Sequence, residues 1–500
     1  MTSTGTRFWV AAAGALFFLF IAFSPGRFFA SDIGPRLGVA RQLWSSGSVF
    51  VPGDRSSEGF LFIRERGGST SLYGIGQSLV LIPFDIVGYC VSHAAAFSDA
   101  FRKEIERLPV VFGYAPLVGM LWWLLLALVL RQSGFDNRNA LLGAILFGGS
   151  TIVWFYASQS VQEEALVSVF LLGSFCTAMG WASSSRPLLA VASGALAVVA
   201  LTIRLNSVFA ILPIAGVVLD AYRGKTQATW WRGIGWAIVG ALPIVCLHAL
   251  FASWRFGSPF STGYDLGRLS GMGVSWGPLD WNLFVGLVAG FGKGLLVLSP
   301  SLLFVLVGYH SWIKRSPFTA AAAVLSIVLS LVLTAKILNN PDGSESWGAR
   351  YQVHLLSFWI FPFFIGVKRC LEERWRPLAF VVIAISISIQ CLSMVAPTSL
   401  EYFQATGDSF KREKIISSGS QGQLPLRARN ALTWLMGRTV SNPSTDAEAN
   451  RTFVYMQDRY VPNLWGPVYS RMFGTAWPLV ISLALLFCSV GLFAVAFRMK

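Results

Sequence analysis

Charge is scarce in this chain. Of 500 residues only 13% are Asp, Glu, Lys or Arg, against about 25% in an ordinary soluble domain, so a soluble globular protein is excluded. Disorder is excluded by the same composition, because a chain that is 54% apolar can bury itself. Cysteine is sparse as well. The six, Cys90, Cys176, Cys246, Cys370, Cys391 and Cys488, form no C-x-x-C pair, which leaves neither a disulfide framework nor a zinc site. His93, His248, His310 and His354 lack metal-ligand spacing. GFGKGL at 290–295 falls short of a P-loop, and neither G-x-S-x-G nor H-E-x-x-H occurs. Nucleotide-binding loops are likewise missing.

Long apolar runs fill the space that charge leaves. A spanning helix takes about 20 apolar residues, and such runs fall at 8–24, 109–130, 139–156, 163–182, 187–203, 205–220, 233–253, 294–312, 317–337, 351–367, 377–396 and 474–497. They are continuous rather than alternating, which argues against a transmembrane barrel. Many of the 19 Trp, 39 Phe and 12 Tyr sit near run ends, where amphipathic rings favour the membrane interface. The fold class is therefore an all-α polytopic membrane protein with about twelve transmembrane helices. The run near 74–97 is interrupted by Pro83, Asp85 and His93 and reads as an interfacial or re-entrant helix.

The net charge of +15 fits basic cytoplasmic turns rather than nucleic acid. With the N-terminus inside, Arg131, Arg138, Arg186, Arg223, Lys225, Arg232, Lys314, Arg315, Lys368, Arg369, Arg374, Arg376, Arg498 and Lys500 all fall on the cytoplasmic side, as the positive-inside rule asks. Counting 74–97 as a span inverts these clusters. The first run carries Arg27 beyond its apolar core, so it reads as an uncleaved span. The expected division is a core over 1–396 with outer loops 25–108 and 254–293, an extracytoplasmic loop over 397–473, and a last span with a cytoplasmic C-terminus over 474–500. Long loops tend to be functional, so chemistry is expected on the outer face of a plasma membrane, the bacterial inner membrane.

Residues 36–44 place Leu37, Val39, Ala40, Leu43 and Trp44 largely on one helical face, away from Arg36 and Arg41. This reads as a helix along the membrane surface. Asp32 precedes it and reads first as its N-cap. The segment GGSTSLYGIGQSLVLIPFDIVG follows, with glycines that permit sharp turns.

An acid after the first span, a surface helix and a YG-x-G…PF segment together resemble the GT-C superfamily. These are integral membrane glycosyltransferases using polyprenyl-phosphate sugars, among them protein O-mannosyltransferases and lipid A aminoarabinose transferases. SQSVQEEAL, TIRLNS, FGSPFSTGYD, GFGKGLLVLSPSLL and SWGARYQVHLLSF continue the pattern in order, from residue 32 to about 358. Many relatives carry two adjacent acids in the first loop, whereas here Ile33 follows Asp32.

The resemblance implies that Asp32 is a general base and that the partners are a polyprenyl-phosphate-linked sugar donor, a glycan, lipid or protein acceptor, and membrane lipids. It leaves open a divalent metal beside Asp32. A sugar on a lipid phosphate already has a good leaving group. The enzyme must take a proton from the acceptor hydroxyl and stabilise charge on the departing phosphate. For the phosphate, charges at the outer ends of runs supply the candidates Arg204, Lys293 and Arg350, with Lys336 reading as a snorkelling residue. Relatives often carry an aromatic–Gly–x–Arg–Tyr segment where Arg350 and Tyr351 stand. Candidates for substrate contact are Arg36, Tyr73, Glu163, Glu164, Tyr264, Asp265, Arg268 and Tyr351, although Glu163 and Glu164 also suit a helix N-terminus.

Two other functions compete. A transporter or flippase of a lipid-linked saccharide needs charged or broken helices near the bilayer midplane in both halves; here the charges collect at outer ends, and no clear inverted repeat is visible. An assembly scaffold could use the loop 397–473, with nine Lys/Arg and six Asp/Glu.

Overall fold

The computed structural model describes residues 3–28, 32–56, 60–63, 66–94, 97–223, 227–263, 276–337, 346–406, 422–440 and 447–499. It is an all-helical protein with one small sheet. Among the described residues nine helices are long and apolar enough to cross a membrane, and the chain is an integral membrane protein. Eight of the nine coincide with expected spans. The ninth is α3 (Ile75–His93), a continuous helix where the sequence points to an interrupted one. Its acid is matched rather than disruptive: Asp85 accepts from Arg41 Nε at 2.6 Å and Trp44 Nε1 at 2.7 Å.

The remaining expected spans are short or broken. Pro187–Ile203 (α9) and Leu205–Ala221 are shorter apolar helices separated by Arg204. The run 139–156 breaks at Thr151, and 294–312 breaks at Ser299–Pro300. The two breaks face each other. Ser299 Oγ accepts from Ile152 N at 2.9 Å, Ser301 Oγ donates to Ser150 O at 2.8 Å, and Ser386 Oγ accepts from Ser301 N at 2.9 Å. Backbone groups freed inside a membrane must find such partners. These partners lie about 85 to 150 residues away in sequence, so no local pattern announces them.

Glycines set the closest helix contacts. A Cβ on Gly308 would lie 1.9 Å from Pro362 O, and one on Gly366 would lie 1.9 Å from Phe304 O. The helices Leu303–Arg315 and Ile360–Glu372 therefore touch backbone to backbone, the small-residue packing used where lipid removes the hydrophobic drive.

α1 (Ser3–Ala22) packs antiparallel to the last helix, Trp477–Arg498. Phe8 clusters with Ala496 and Leu141, and Ser489 Oγ donates to Ala15 O at 2.8 Å. Both termini thus lie at one end of the bundle. Arg131 stacks over Trp9 at the same end, and Arg138 donates to Met499 O at 3.0 Å.

The opposite end gathers the first loop. α2 (Ile33–Ser46) buries Ile33, Val39 and Ala40, and also Arg36. Arg36 therefore sits on the packed face of this helix, not on the open face that the sequence points to; an ion pair described below offsets its desolvation. Behind α2 lies an antiparallel sheet in the order β1 (Val51–Pro52), β3 (Gly68–Ser71), β2 (Phe60–Ile63). It pairs Phe60 with Ser71 and Ile63 with Gly68. These strands are too short to read from periodicity. β3 delivers the chain to Tyr73.

Candidate active site

Five segments converge at the end away from the termini. They are the start of α2, the turn after β3, the N-terminus of α8 (Glu163–Ser184), the C-terminus of α9, and the segment entering the helix at Arg350. Each position has a local cause. α9 ends because Arg204 is extended (φ −150°, ψ 119°). Gly348, at φ +70°, turns the chain into the 3-10 turn Arg350–Gln352. Gly74 lets the Tyr73 turn lie against α9, since a Cβ there would lie 2.1 Å from Thr202 O.

Asp32 stands at the N-cap position of α2, yet its side chain makes no capping hydrogen bond. The carboxylate turns inward instead. Oδ1 accepts from the Tyr73 hydroxyl at 2.6 Å, and Oδ2 accepts from Arg350 Nη2 at 2.9 Å. Arg350 Nε also donates to Glu164 Oε1, and its Nη2 lies 3.6 Å from Glu163 Oε1. Arg204 Nη1 donates to Glu164 Oε1 and lies 3.3 Å from Glu163 Oε1. Arg36 Nη2 pairs with Glu163 Oε2 at 2.6 Å, and its guanidinium stacks over the Tyr73 ring at 3.9 Å. Tyr351 packs its ring 4.9 Å from the Arg204 guanidinium.

Three carboxylates and three guanidiniums thus form one neutral network. Exposure within it is uneven. The side chains of Glu164, Arg36, Glu163, Arg204 and Arg350 are 0–7% exposed, whereas that of Asp32 is 16% exposed. The acid is the member of the network that solvent or substrate reaches most readily. Glu163 and Glu164, at the N-terminus of α8, are covered by arginines and act as the frame that holds those arginines in place.

Burial alone raises the Asp32 carboxyl, but Arg350, Arg36 and the Tyr73 hydroxyl outweigh it and hold the group well below the usual carboxylate range. Asp32 is therefore ionised at neutral pH and engaged on both oxygens. Among the described residues no set of three His, Cys, Asp or Glu side chains is placed to hold a metal ion. With an arginine on one oxygen and a tyrosine on the other, the surroundings of Asp32 do not fit a divalent cation.

Lys293 does not join this network. Its Nζ donates to Ser346 O and lies 3.2 Å from Ser346 Oγ, four residues before Arg350. Tyr264, Asp265 and Arg268 lie outside the described residues.

Sequence reasoning missed Arg255, near the C-terminus of α11 (Gln227–Phe256). It is 3% exposed. Nε donates to Thr70 Oγ1 at 3.0 Å, and Nη1 donates to the Tyr73 carbonyl at 3.0 Å. Among the described residues it has no carboxylate partner, and its Nη2 is buried without an acceptor. It lines a small cavity with Tyr73, Leu201, Ile203, Phe251 and Thr262. The one available signal was a lone arginine ending an apolar run, which looks the same as a snorkelling residue.

No family model and no curated protein match this chain. Solved structures to which it is similar include ArnT from Cupriavidus metallidurans in the apo state, at 15% identity and TM-score 0.48, over 98% of this chain and 77% of that one. A second is the arabinosyltransferase EmbB from Mycobacterium smegmatis, at 14% identity and TM-score 0.46, over 97% of this chain and 41% of that one. A third is the Archaeoglobus fulgidus oligosaccharyltransferase in the apo form, at 12% identity and TM-score 0.41, over 92% of this chain and 60% of that one.

Proposed function

We propose that the protein is a membrane glycosyltransferase of the GT-C type that moves a sugar from a polyprenyl-phosphate donor to an acceptor hydroxyl, with Asp32 as general base. The observation that carries this reading is the Asp32–Arg350 pair, in which the most exposed acid of the network touches a guanidinium suited to phosphate. The resemblance of the ordered motifs between residues 32 and 358 supports it.

The resting pair suits a base held in reserve. A carboxylate kept below its usual range is a weak proton acceptor. Donor phosphate competing for the Arg350 guanidinium loosens that hold, so the basicity of Asp32 rises when the leaving group is in place. Asp32 then takes the acceptor hydroxyl's proton as the acceptor oxygen bonds to the anomeric carbon. The bond from that carbon to the phosphate oxygen breaks, and the phosphate leaves on the lipid with its electron pair. Positioned proton transfer contributes roughly 10²–10⁴-fold. Arg255 is a better candidate than Lys293 for a second phosphate contact, because its buried Nη2 has no acceptor among the described residues and a lipid phosphate supplies one.

The basic turn with Arg131 and Arg138 shares an end with the termini, and the site lies at the other. By the positive-inside rule this supports cytoplasmic termini and a site on the outer face. The paired helix breaks do not favour transport. Their freed groups are met by serines, and no charged side chain takes part.

The test is purified protein with a panel of polyprenyl-phosphate sugars bearing labelled sugar. Transfer of label to an acceptor with release of polyprenyl phosphate is expected. Movement of intact donor across sealed vesicles, with no transferred label from any donor, contradicts the reading.

A further inference from the structure

A second cavity, of about 330 Å³, opens at the terminus end of the bundle. Counted along α8 from Glu163 to Met179, it lies roughly 24 Å from the ion network at 1.5 Å per residue. Its volume falls in the range of small-ligand sites, about 300–1,000 Å³. Phe175, Met179, Trp312, Phe358 and Phe361 form its apolar walls.

Two charged residues line it, and they differ in kind. The Asp220 carboxylate caps the helix Pro317–Thr334 with both oxygens. Oδ1 accepts from Phe318 N at 3.1 Å, and Oδ2 accepts from Thr319 N at 2.9 Å and Thr319 Oγ1 at 2.6 Å. Arg315 is exposed, has no carboxylate partner among the described residues, and rests its guanidinium 5.3 Å from the Phe361 ring. Of the serines in its lining, Ser133 donates to Val129 O at 2.8 Å and Ser183 to Gly180 O at 2.9 Å. The cavity therefore offers an apolar slot with one cation that makes no ion pair among the described residues, and Lys314 and Arg223 are its exposed sequence neighbours.

An aqueous anion gains nothing from the aromatic walls, and a neutral lipid gains nothing from Arg315. A molecule with an acyl chain and a phosphate uses both. We propose that this cavity binds an anionic phospholipid, its headgroup on Arg315 and its acyl chain between the helices. Basic pockets between membrane helices bind anionic headgroups in this way. The site is separate from the ion network and does not depend on the glycosyltransferase reading.

The experiment is native mass spectrometry and thermal unfolding of the purified full chain with phosphatidylglycerol, with phosphatidylcholine of the same acyl chains, or with inorganic phosphate. The wild type should retain phosphatidylglycerol preferentially and unfold at a higher temperature with it. Arg315→Gln should cut that preference roughly fivefold, the effect of one cation near a membrane surface. Arg369→Gln, an exposed arginine at the same end but outside the cavity, should leave it unchanged. Ala182→Trp, which fills the slot, should lose both lipids. Equal retention of the two lipids overturns the proposal. An equal effect of both arginine variants overturns it too, since it marks diffuse surface attraction. A thermal shift with inorganic phosphate as large as with the lipid removes the acyl chain from the account and also overturns it.

Discussion

Asp32 was legible because a carboxylate at the edge of an apolar run is costly and rare; the same held for Arg204, Arg350 and the Glu163–Glu164 pair. Their mutual pairing was not legible, because Asp32 and Arg350 are 318 residues apart in sequence. The pairing predicts a pH profile. The Asp32 carboxyl is depressed in the folded protein, so its contribution to stability is complete above the unfolded value of about 3.9 and is lost only as pH falls through the lower folded value. A plot of kcat/KM against pH should therefore show no acid limb from Asp32 between about pH 5 and 8. A limb in that window that moves to higher pH in Tyr73→Phe contradicts the assignment. Arg255 yields a second prediction. If it grips donor phosphate, Arg255→Ala loses a charged hydrogen bond, about 1.5–3 kcal/mol. Donor affinity should then fall roughly 10- to 100-fold, with kcat changed less. A variant whose donor titration matches the wild type contradicts that role.

At the scale of elements, the uniform apolar helices and the two short ones at 187–203 and 205–221 were legible, and the breaks at Thr151 and Ser299–Pro300 were not. The loop 397–473 was the least legible region, and the structure gives part of it a brace-like position. The helix Gln423–Leu435 carries Arg427, fully buried, which pairs with Glu401 and donates to the carbonyls of Leu392, Ala396 and Pro397. Its guanidinium stacks over Trp347 at 5.4 Å, and Gln423 donates to Ser346 O at 3.1 Å. The stretch that leads to Arg350 is thus held from the loop. Trp465 does the same on the Asp32 side: its N donates to Ser24 O at 3.0 Å and its Nε1 to Ile21 O at 2.8 Å. Arg427→Ala leaves Glu401 buried and unpaired and should cost about 3–5 kcal/mol. Thermal unfolding should show most of that loss reversed in Arg427→Met with Glu401→Leu, where no buried charge remains. Equal destabilisation of the single and double variants contradicts the paired-charge account.

At the scale of the molecule, charge led to the expectation of about twelve spans, and the geometry places both termini opposite the ion network. If the site faces outward, a cysteine at Leu435, which is 84% exposed, should react with a membrane-impermeant maleimide in intact cells on an otherwise cysteine-free background. One at Met499 should react only after lysis. The reverse pattern turns the protein over in the membrane and removes an extracytoplasmic reaction.

The most direct measurement pairs catalysis with binding in purified Asp32→Asn protein. Removing the proton acceptor should lower sugar transfer from a polyprenyl-phosphate donor by at least about 10²-fold, while donor binding is retained; the variant unfolds at a lower temperature than wild type, because Arg350 loses its buried partner, but is folded at the assay temperature. Transfer at the wild-type rate by this variant contradicts the account at its centre.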